Sequence, residues 1–366
     1  MGPGPSNVNP RVLKAMTAPL LGHLDPEFLK LMDDIKEMLR LVFQTNNPIT
    51  FPVSGTGSAG IETAMVNILE AGDTAVVGVN GYFGDRMAQI AERCRANVYR
   101  IETEWGQPLD PDKVKAELGK HKNIKLVAMV HAETSTGVLS PVPDIAKITH
   151  EHDALMIVDA VTSLGGVEIN VDDWGIDVSY SGSQKCLGCP PGLAPLTLGP
   201  KAHEVLLSRN TPVQSWYLDV SLLENYWSST RAYHHTAPIS MIYGLREGLR
   251  VVLEEGLEAR YQRHTRNAKT LREGLKSLGI ELFAQESAQL DTLISAWVPN
   301  GMNDATLRKA LLNDHNIEIG GGLGQFSGKI WRIGLMGENS NSTAVLTFLS
   351  ALESVLSKEG YKVPRN

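Results

Sequence analysis

Lys185 stands in the stretch SYSGSQKCLGCPPG, with small residues before it and Gly and Pro after it. Most other lysines fall on expected helix surfaces. This one sits in a crowded loop between two apolar runs. A lysine kept from water has a lowered pKa and acts as an amine nucleophile. Asp159 ends the apolar run LMIVD, 26 residues earlier (185 − 159). Sheet ligands bind beyond the carboxyl ends of strands, so Asp159 is a candidate site acid. It reads equally as the cap of the next helix. Arg332 lies in KIWRIGLM, between Trp331 and Ile333. An arginine among apolar neighbours needs a carboxylate, either from a protein acid or from a substrate.

The turn Gly55-Thr56-Gly57-Ser58-Ala59-Gly60 follows an extended run and opens a helix. Free N–H groups at a helix start, with the Thr56 and Ser58 hydroxyls, make a phosphate seat. A turn without a ligand is the other reading. The turn also matches GxGxxG, and a dinucleotide fold needs an acid at the end of the next strand, about 20 residues on. That run, AVVGVN, ends in Asn80, and Asp73 precedes it. The missing acid argues against a nicotinamide or flavin oxidoreductase.

Three further patterns carry little chemistry. Cys186 and Cys189 spell CxxC, but no second pair completes a zinc site. His234 and His235 are adjacent and point apart, without the spacing of a metal motif. GQFSGKI, ending at Ile330, lacks the glycine spacing of a P-loop and the Ser or Thr after its lysine.

The surrounding elements alternate. Residues 26–44 carry Phe28, Leu31, Met32, Ile35, Leu39 and Val42 at helical spacing. ITFPVS, TAVVGVN, NVYRIE, KLVAMV, ALMIVDAV, IDVSYS and LAPLTL read as strands, separated by helical stretches that include 85–95 and 143–152. That alternation predicts an α/β fold with a largely parallel sheet buried on both faces. Residues 238–279 read as one long helical run that bends or bridges units, with Ile242, Leu245, Leu249, Leu253 and Leu257 in one stripe. The predicted division is an extended arm over 1–20, a large domain over 21–256 and a small α+β domain over 257–366. In the last, IELF, DTLISAWV, IEIGGGL and KIWRIGLM accompany a helix at 304–314.

Composition narrows the function classes. The chain has 366 residues, 42% hydrophobic and 20% charged, which supports a sizeable core over about two domains. Net charge is −7 with no basic patch, which disfavours nucleic acid. With 3 Cys a disulfide scaffold is excluded and a reducing, cytoplasmic setting is expected. No run approaches the ~18 apolar residues of a membrane span. The first residues lack signal-peptide regions. Gly2 and Ser6 fit a myristoylation pattern, without the basic second anchor. KVPRN at the other end carries neither a retention nor a peroxisomal signal.

Taken in order, phosphate turn, strand-end Asp159, Lys185 and Arg332 resemble the pyridoxal-phosphate enzymes of the aspartate-aminotransferase fold (fold type I). GPGPSN at 2–7, SGTGSAGIE at 54–62, HAETSTGV at 131–138, DAVTSLGG at 159–166, YSGSQKCLGCPPG at 180–192, YHHTAP at 233–238 and GKIWRIGLMG at 328–337 are similar to the class V aminotransferases. The closest likeness is to the alanine–glyoxylate and serine–glyoxylate group, and it runs from the arm to the final helix. It implies a seven-stranded, mostly parallel sheet and a homodimer with shared active sites. Lys185 would hold pyridoxal 5′-phosphate as a Schiff base and shuttle the proton. Asp159 would pair with the ring nitrogen. Thr56, Gly57, Ser58 and Gln184 would seat the phosphate, Phe83 would stack on the ring and Thr134 would lie near its 3-oxygen. Tyr233 and Thr236 would reach the neighbouring subunit's phosphate. Arg332 would fork onto the substrate carboxylate, and Gly4 would line the pocket. Animal members often have His where Ser58 stands and Trp where Phe83 stands, and GHLDP at 22–26 is similar to bacterial members. The implied reaction moves an amino group from alanine or serine to glyoxylate, giving glycine. Ureidoglycine–glyoxylate transfer is the near alternative. A cysteine desulfurase needs a nucleophilic Cys late in the chain, and none follows Cys189. A non-catalytic subunit would have little reason to keep Asp159, Lys185 and Arg332 together.

Overall fold

The computed structural model describes residues 1–364; Arg365 and Asn366, which close the C-terminal stretch weighed above, lie outside the described residues. In chain order the elements are α1 (Pro10–Met16), α2 (Pro26–Phe43), β1 (Ile49–Ser54), α3 (Gly57–Ile68), β2 (Thr74–Val79), α4 (Tyr82–Arg93), β3 (Asn97–Glu102), α5 (Pro111–Leu118), β4 (Ile124–Val130), β5 (Ala132–Glu133), β6 (Val138–Leu139) and α6 (Val142–Glu151). There follow β7 (Leu155–Asp159), β8 (Val178–Tyr180), β9 (Leu193–Leu198), α7 (Pro200–Leu207), α8 (Val220–Trp227), α9 (Ile239–Glu255), α10 (Leu257–Ser277), β10 (Leu293–Trp297), α11 (Asp304–His315), β11 (Gly320–Gly321), β12 (Ile330–Gly334) and α12 (Ser342–Lys358).

Among the described residues, a seven-stranded sheet runs β1-β9-β8-β7-β4-β2-β3. Pairing is parallel from β8 through β3. β9 is antiparallel to both its neighbours, so β1 and β8 share a direction. The central strands are apolar on both faces because helices cover both. Every residue of β7 and β9 is buried. A parallel sheet needs that double cover. The helices read as the periodicity predicts. In α2, Asp25 caps the Glu27 N–H, Pro26 takes the first position, and Phe28, Met32, Ile35, Leu39 and Val42 turn inward. No helix of the described residues is long and apolar enough to cross a membrane.

Several elements differ from expectation. The arm is not extended throughout. Asn9 accepts from the Arg11 N–H and Pro10 opens α1, so a short helix of about two turns forms and buries Val12. The 238–279 run is two helices, broken at Gly256, whose φ is 82°. IELF is no strand; it reaches the small sheet only by an isolated bridge between Leu282 and Ala296. The small sheet, β10-β12-β11, is antiparallel, and IEIGGGL contributes just Gly320 and Gly321.

Two large apolar clusters lie on either side of that helix break, one ending at Val252 and one beginning at Ala268. They support our proposal that the boundary falls near Gly256. Arg260 joins the two sides. It is 2% exposed, and its Nε donates to the Gly165 carbonyl at 2.7 Å and its Nη2 to that of Cys186 at 2.6 Å. Its Nη1 meets Glu255 at 2.6 Å. One buried guanidinium thus ties the first turn of α10 to the loop that carries Lys185. Removing it strands two carbonyls and part of a carboxylate, although Arg263 still faces Glu255. Arg260→Met is expected to cost about 3 kcal/mol, the lower end for a broken buried pair. Denaturant unfolding measures this, and a cost below ~1 kcal/mol, the scale of a surface pair, would contradict the tie.

Candidate active site

β1, β2, β4, β7 and β8 end on the same edge of the sheet, and the candidate residues emerge there. β1 runs into Gly55 and Thr56, and α3 starts at Gly57. Thr56 is the N-cap, yet its side chain makes no capping bond, which leaves the hydroxyl free. An added Cβ at Gly55 would lie 2.5 Å from that of Ala59, so the turn is tight enough to require glycine. A cleft of about 190 Å3 opens against this turn. It brings together Gly4, Thr56, Gly57, Ser58, Phe83, Thr134, Asp159, Gln184 and Lys185 from six separate stretches of chain.

Lys185 is 9% exposed, and burial pulls its pKa down to about 8, with the Arg332 cation adding to the shift. Its Nζ donates to the Pro3 carbonyl at 2.6 Å. The arm crosses the lysine closely: a Cβ on Gly4 would lie 2.5 Å from Nζ, and Gly4 has φ of 109°. Only glycine suits both demands. Ser6 holds the arm there, its hydroxyl donating to the Lys185 carbonyl and its N–H to that of Gln184.

Asp159 is 5% exposed, and burial lifts its pKa to about 6. It does cap the next turn, since Oδ1 accepts from the Val161 N–H at 2.8 Å. It also faces the cleft, and Oδ2 accepts from the Tyr180 hydroxyl at 2.8 Å. The capping reading therefore holds, and the same acid lines the cleft. The sequence reading missed Tyr180, whose side chain meets Asp159 across the β7–β8 pair, a register not visible in the linear text.

Thr134 lies in the β5–β6 loop, its hydroxyl 2.5 Å from that of Thr162. Glu133 was also missed. It is fully buried and accepts from the N–H groups of Phe83 and Gly84, each at 3.2 Å, and from Ser135. An acid at a helix start offsets the unsatisfied N–H groups there. Burial nevertheless pushes its pKa up. The result fixes the first turn of α4 and with it the Phe83 ring at the cleft wall.

Arg332 is 8% exposed in β12. Its Nε donates to the Gly321 carbonyl at 2.8 Å and its Nη1 to that of Thr134 at 3.4 Å. Among the described residues no acid forms an ion pair with it. Burial lowers its pKa to about 10. The GQFSGK stretch belongs to the loop after the β11 carbonyl that orients this arginine, and it forms no P-loop.

Tyr233 and Thr236 are not brought to this cleft. Tyr233 is 62% exposed and packs on His23, with ring centres 5.1 Å apart. Between them, His234 stacks on Trp216 and His235 meets the Ser54 hydroxyl at 2.6 Å; contrary to expectation the two rings do not point apart, their Nδ1 atoms lying 2.8 Å from each other. No His, Cys, Asp and Glu cluster suited to a metal occurs among the described residues. Cys186 and Cys189 are buried free thiols, each pushed up to about 12 by burial.

The family pattern "Aminotransferase class-V" matches residues 3–331. The chain belongs to the class-V aminotransferases. It is 42% identical to (S)-ureidoglycine–glyoxylate transaminase of Bacillus subtilis (strain 168), covering 97% of this chain and 90% of that one. It is 41% identical to alanine–glyoxylate aminotransferase of Rattus norvegicus, covering 97% and 87%. The solved alanine–glyoxylate aminotransferase of Nostoc sp. superposes with a TM-score of 0.95 at 47% identity, over 97% of this chain and 94% of that one. The fold is thus that of a transaminase, as the motifs imply.

In this class-V aminotransferase the Lys185 amine should behave as a weak base. Only the neutral amine takes an acyl group. Competitive acetylation of protein free of bound aldehyde, read on the Lys185 peptide by mass spectrometry, is expected to rise about tenfold per pH unit and level off near pH 8. A midpoint at 10.5, the ordinary lysine value, would contradict a desolvated lysine.

Proposed function

We propose that this transaminase binds pyridoxal phosphate in the cleft and carries an amino group from a small amino acid, alanine or serine, to glyoxylate, releasing glycine. The observation that carries the reading is the pairing, in one cleft, of a buried lysine shifted toward the neutral amine with a buried acid at a strand end. The residues fit the group. The Thr56 hydroxyl is unused in capping, and the Gln184 side chain, whose amide N–H groups are donors, lines the same cleft.

Thr56, Gly57 and Ser58 would hold the phosphate at the start of α3, with Gln184 beside them. Phe83 would cover one face of the ring, and Thr134 would meet its 3-oxygen. When bound, the cofactor supplies an electron sink for charge at the substrate α-carbon. Asp159 would accept the ring N–H, and a positive group there would hold its carboxylate in the charged form against the pull of burial. Lys185 Nζ is the base that takes the α-proton and returns it as an acid, work worth ~10²–10⁴-fold. Arg332, without a protein acid, would take the substrate carboxylate in a two-pronged bond. Gly4 lines the same space and lets the arm close over it without a side chain. Tyr233 and Thr236 would serve the phosphate of a second subunit in a homodimer, a role supported by their exposure on this chain. A cytoplasmic setting is supported by the three free thiols.

The second reading, (S)-ureidoglycine as donor, is favoured by a solved relative. The ureidoglycine–glyoxylate aminotransferase of Bacillus subtilis has a TM-score of 0.98 at 43% identity, covering 100% of this chain and 94% of that one. Half-reactions decide between them. Alanine or serine is expected to bleach the visible cofactor band, and glyoxylate to restore it. Bleaching by ureidoglycine alone would replace the first reading with the second. Arg332→Lys should keep the band and lower kcat/KM for donor and glyoxylate alike, by about 2–5 kcal/mol or roughly 30- to several-thousand-fold. Intact kcat/KM with a lowered melting temperature would make Arg332 structural.

A further inference from the structure

The proposed phosphate seat has a deficit of charge. Thr56, Gly57, Ser58 and Gln184 are all neutral, and a phosphate monoester carries about −1.5 to −2 at neutral pH. The cleft wall includes two cationic side chains, Lys185 and Arg86. Lys185 is committed to the aldehyde end. Arg86 has no role in the sequence reading.

Arg86 sits on α4, one turn after Phe83. Its Nη1 donates to the Ser58 hydroxyl oxygen at 3.3 Å. Its guanidinium carbon lies 5.1 Å from the centre of the Phe83 ring and 5.3 Å from that of Tyr82, so the two rings fix the fork. The adjacent acid is taken: Asp85 pairs with Arg100 and accepts from Gln89. Among the described residues no carboxylate pairs with Arg86. A half-buried arginine held by aromatic rings, unpaired, and one hydroxyl away from an anion seat is preorganised for an anion.

We infer that Arg86 supplies the positive charge for the cofactor phosphate and aims the Ser58 hydroxyl at it. Ser58 Oγ accepts the Arg86 N–H, which leaves the Ser58 O–H free to donate to a phosphate oxygen. Phe83 and Arg86 then act from one turn of one helix, the ring covering the cofactor and the fork neutralising its tail. Glu133, by holding the Phe83 and Gly84 N–H groups, sets the position of both. The inference rests on the cofactor reading above.

The test compares two aldehydes that differ only in the phosphate. Full-chain enzyme is dialysed to equilibrium against graded pyridoxal phosphate or pyridoxal, and bound aldehyde is read from the visible band. Arg86→Met is expected to weaken pyridoxal phosphate about tenfold or more and to leave pyridoxal within about twofold, as fits loss of one charged hydrogen-bonding group. Arg86→Lys, which keeps the charge and loses the fork, should show a smaller loss, again confined to the phosphorylated aldehyde. Equal losses for both aldehydes would mean that Arg86 only supports Phe83. Unchanged binding of pyridoxal phosphate, with a raised KM for substrate, would assign Arg86 to the substrate. Either result overturns the inference. Should Arg86→Met not fold, Arg86→Lys decides by the same comparison, and equal or absent losses there overturn the inference. If the unmodified enzyme takes up neither aldehyde, the cofactor reading falls and this assignment with it.

Discussion

Burial of a lysine and an acid at one edge of the sheet is the constraint on which the other features depend. Water would keep Lys185 charged and Asp159 ionised, and burial moves both toward neutrality. Such groups are costly unless something holds them in place. Asp159 is held by the Val161 N–H and the Tyr180 hydroxyl. Lys185 is held by the Pro3 carbonyl in front and, through its loop, by Arg260 behind. The arm, the helix break at Gly256 and the β7–β8 register all converge on these two side chains.

The same constraint explains the glycines that matter. Gly4 lets the arm lie across the amine, where any side chain would strike Nζ. Gly55 lets the chain turn from β1 into α3 tightly enough to expose N–H groups to the cleft. Arg332 approaches Lys185 from the small sheet. Its two hydrogen bonds to carbonyls orient the guanidinium without neutralising it, and the Lys185 amine feels that remaining charge.

Much of this was legible in the sequence. The strand-end position of Asp159, the crowded loop of Lys185 and the helix-opening turn at Gly55–Ser58 are local features, written in consecutive residues. What escaped depends on pairing between distant segments. Tyr180 meets Asp159 through strand register. Glu133 reaches a helix start some 50 residues earlier. Arg86 meets Ser58 across two neighbouring helices. The arm misled in the other direction, because Pro, Gly and Asn suggested an extended chain while Asn9 and Pro10 are also a helix start. IELF, placed by the sequence among the segments of the small α+β domain, makes only one isolated bridge to its sheet. The open choice at Arg332 needed coordinates, since the absence of a paired acid among the described residues is a fact of three dimensions.

The central claim is that the buried amine of Lys185 is the group that carries the cofactor. Borohydride fixes an aldehyde to the amine that holds it. The purified enzyme, reduced with borohydride, digested and analysed by mass spectrometry, should show a pyridoxyl-phosphate adduct on the peptide containing Lys185. An adduct on another lysine, or none on any peptide of an enzyme that transaminates, would contradict the account.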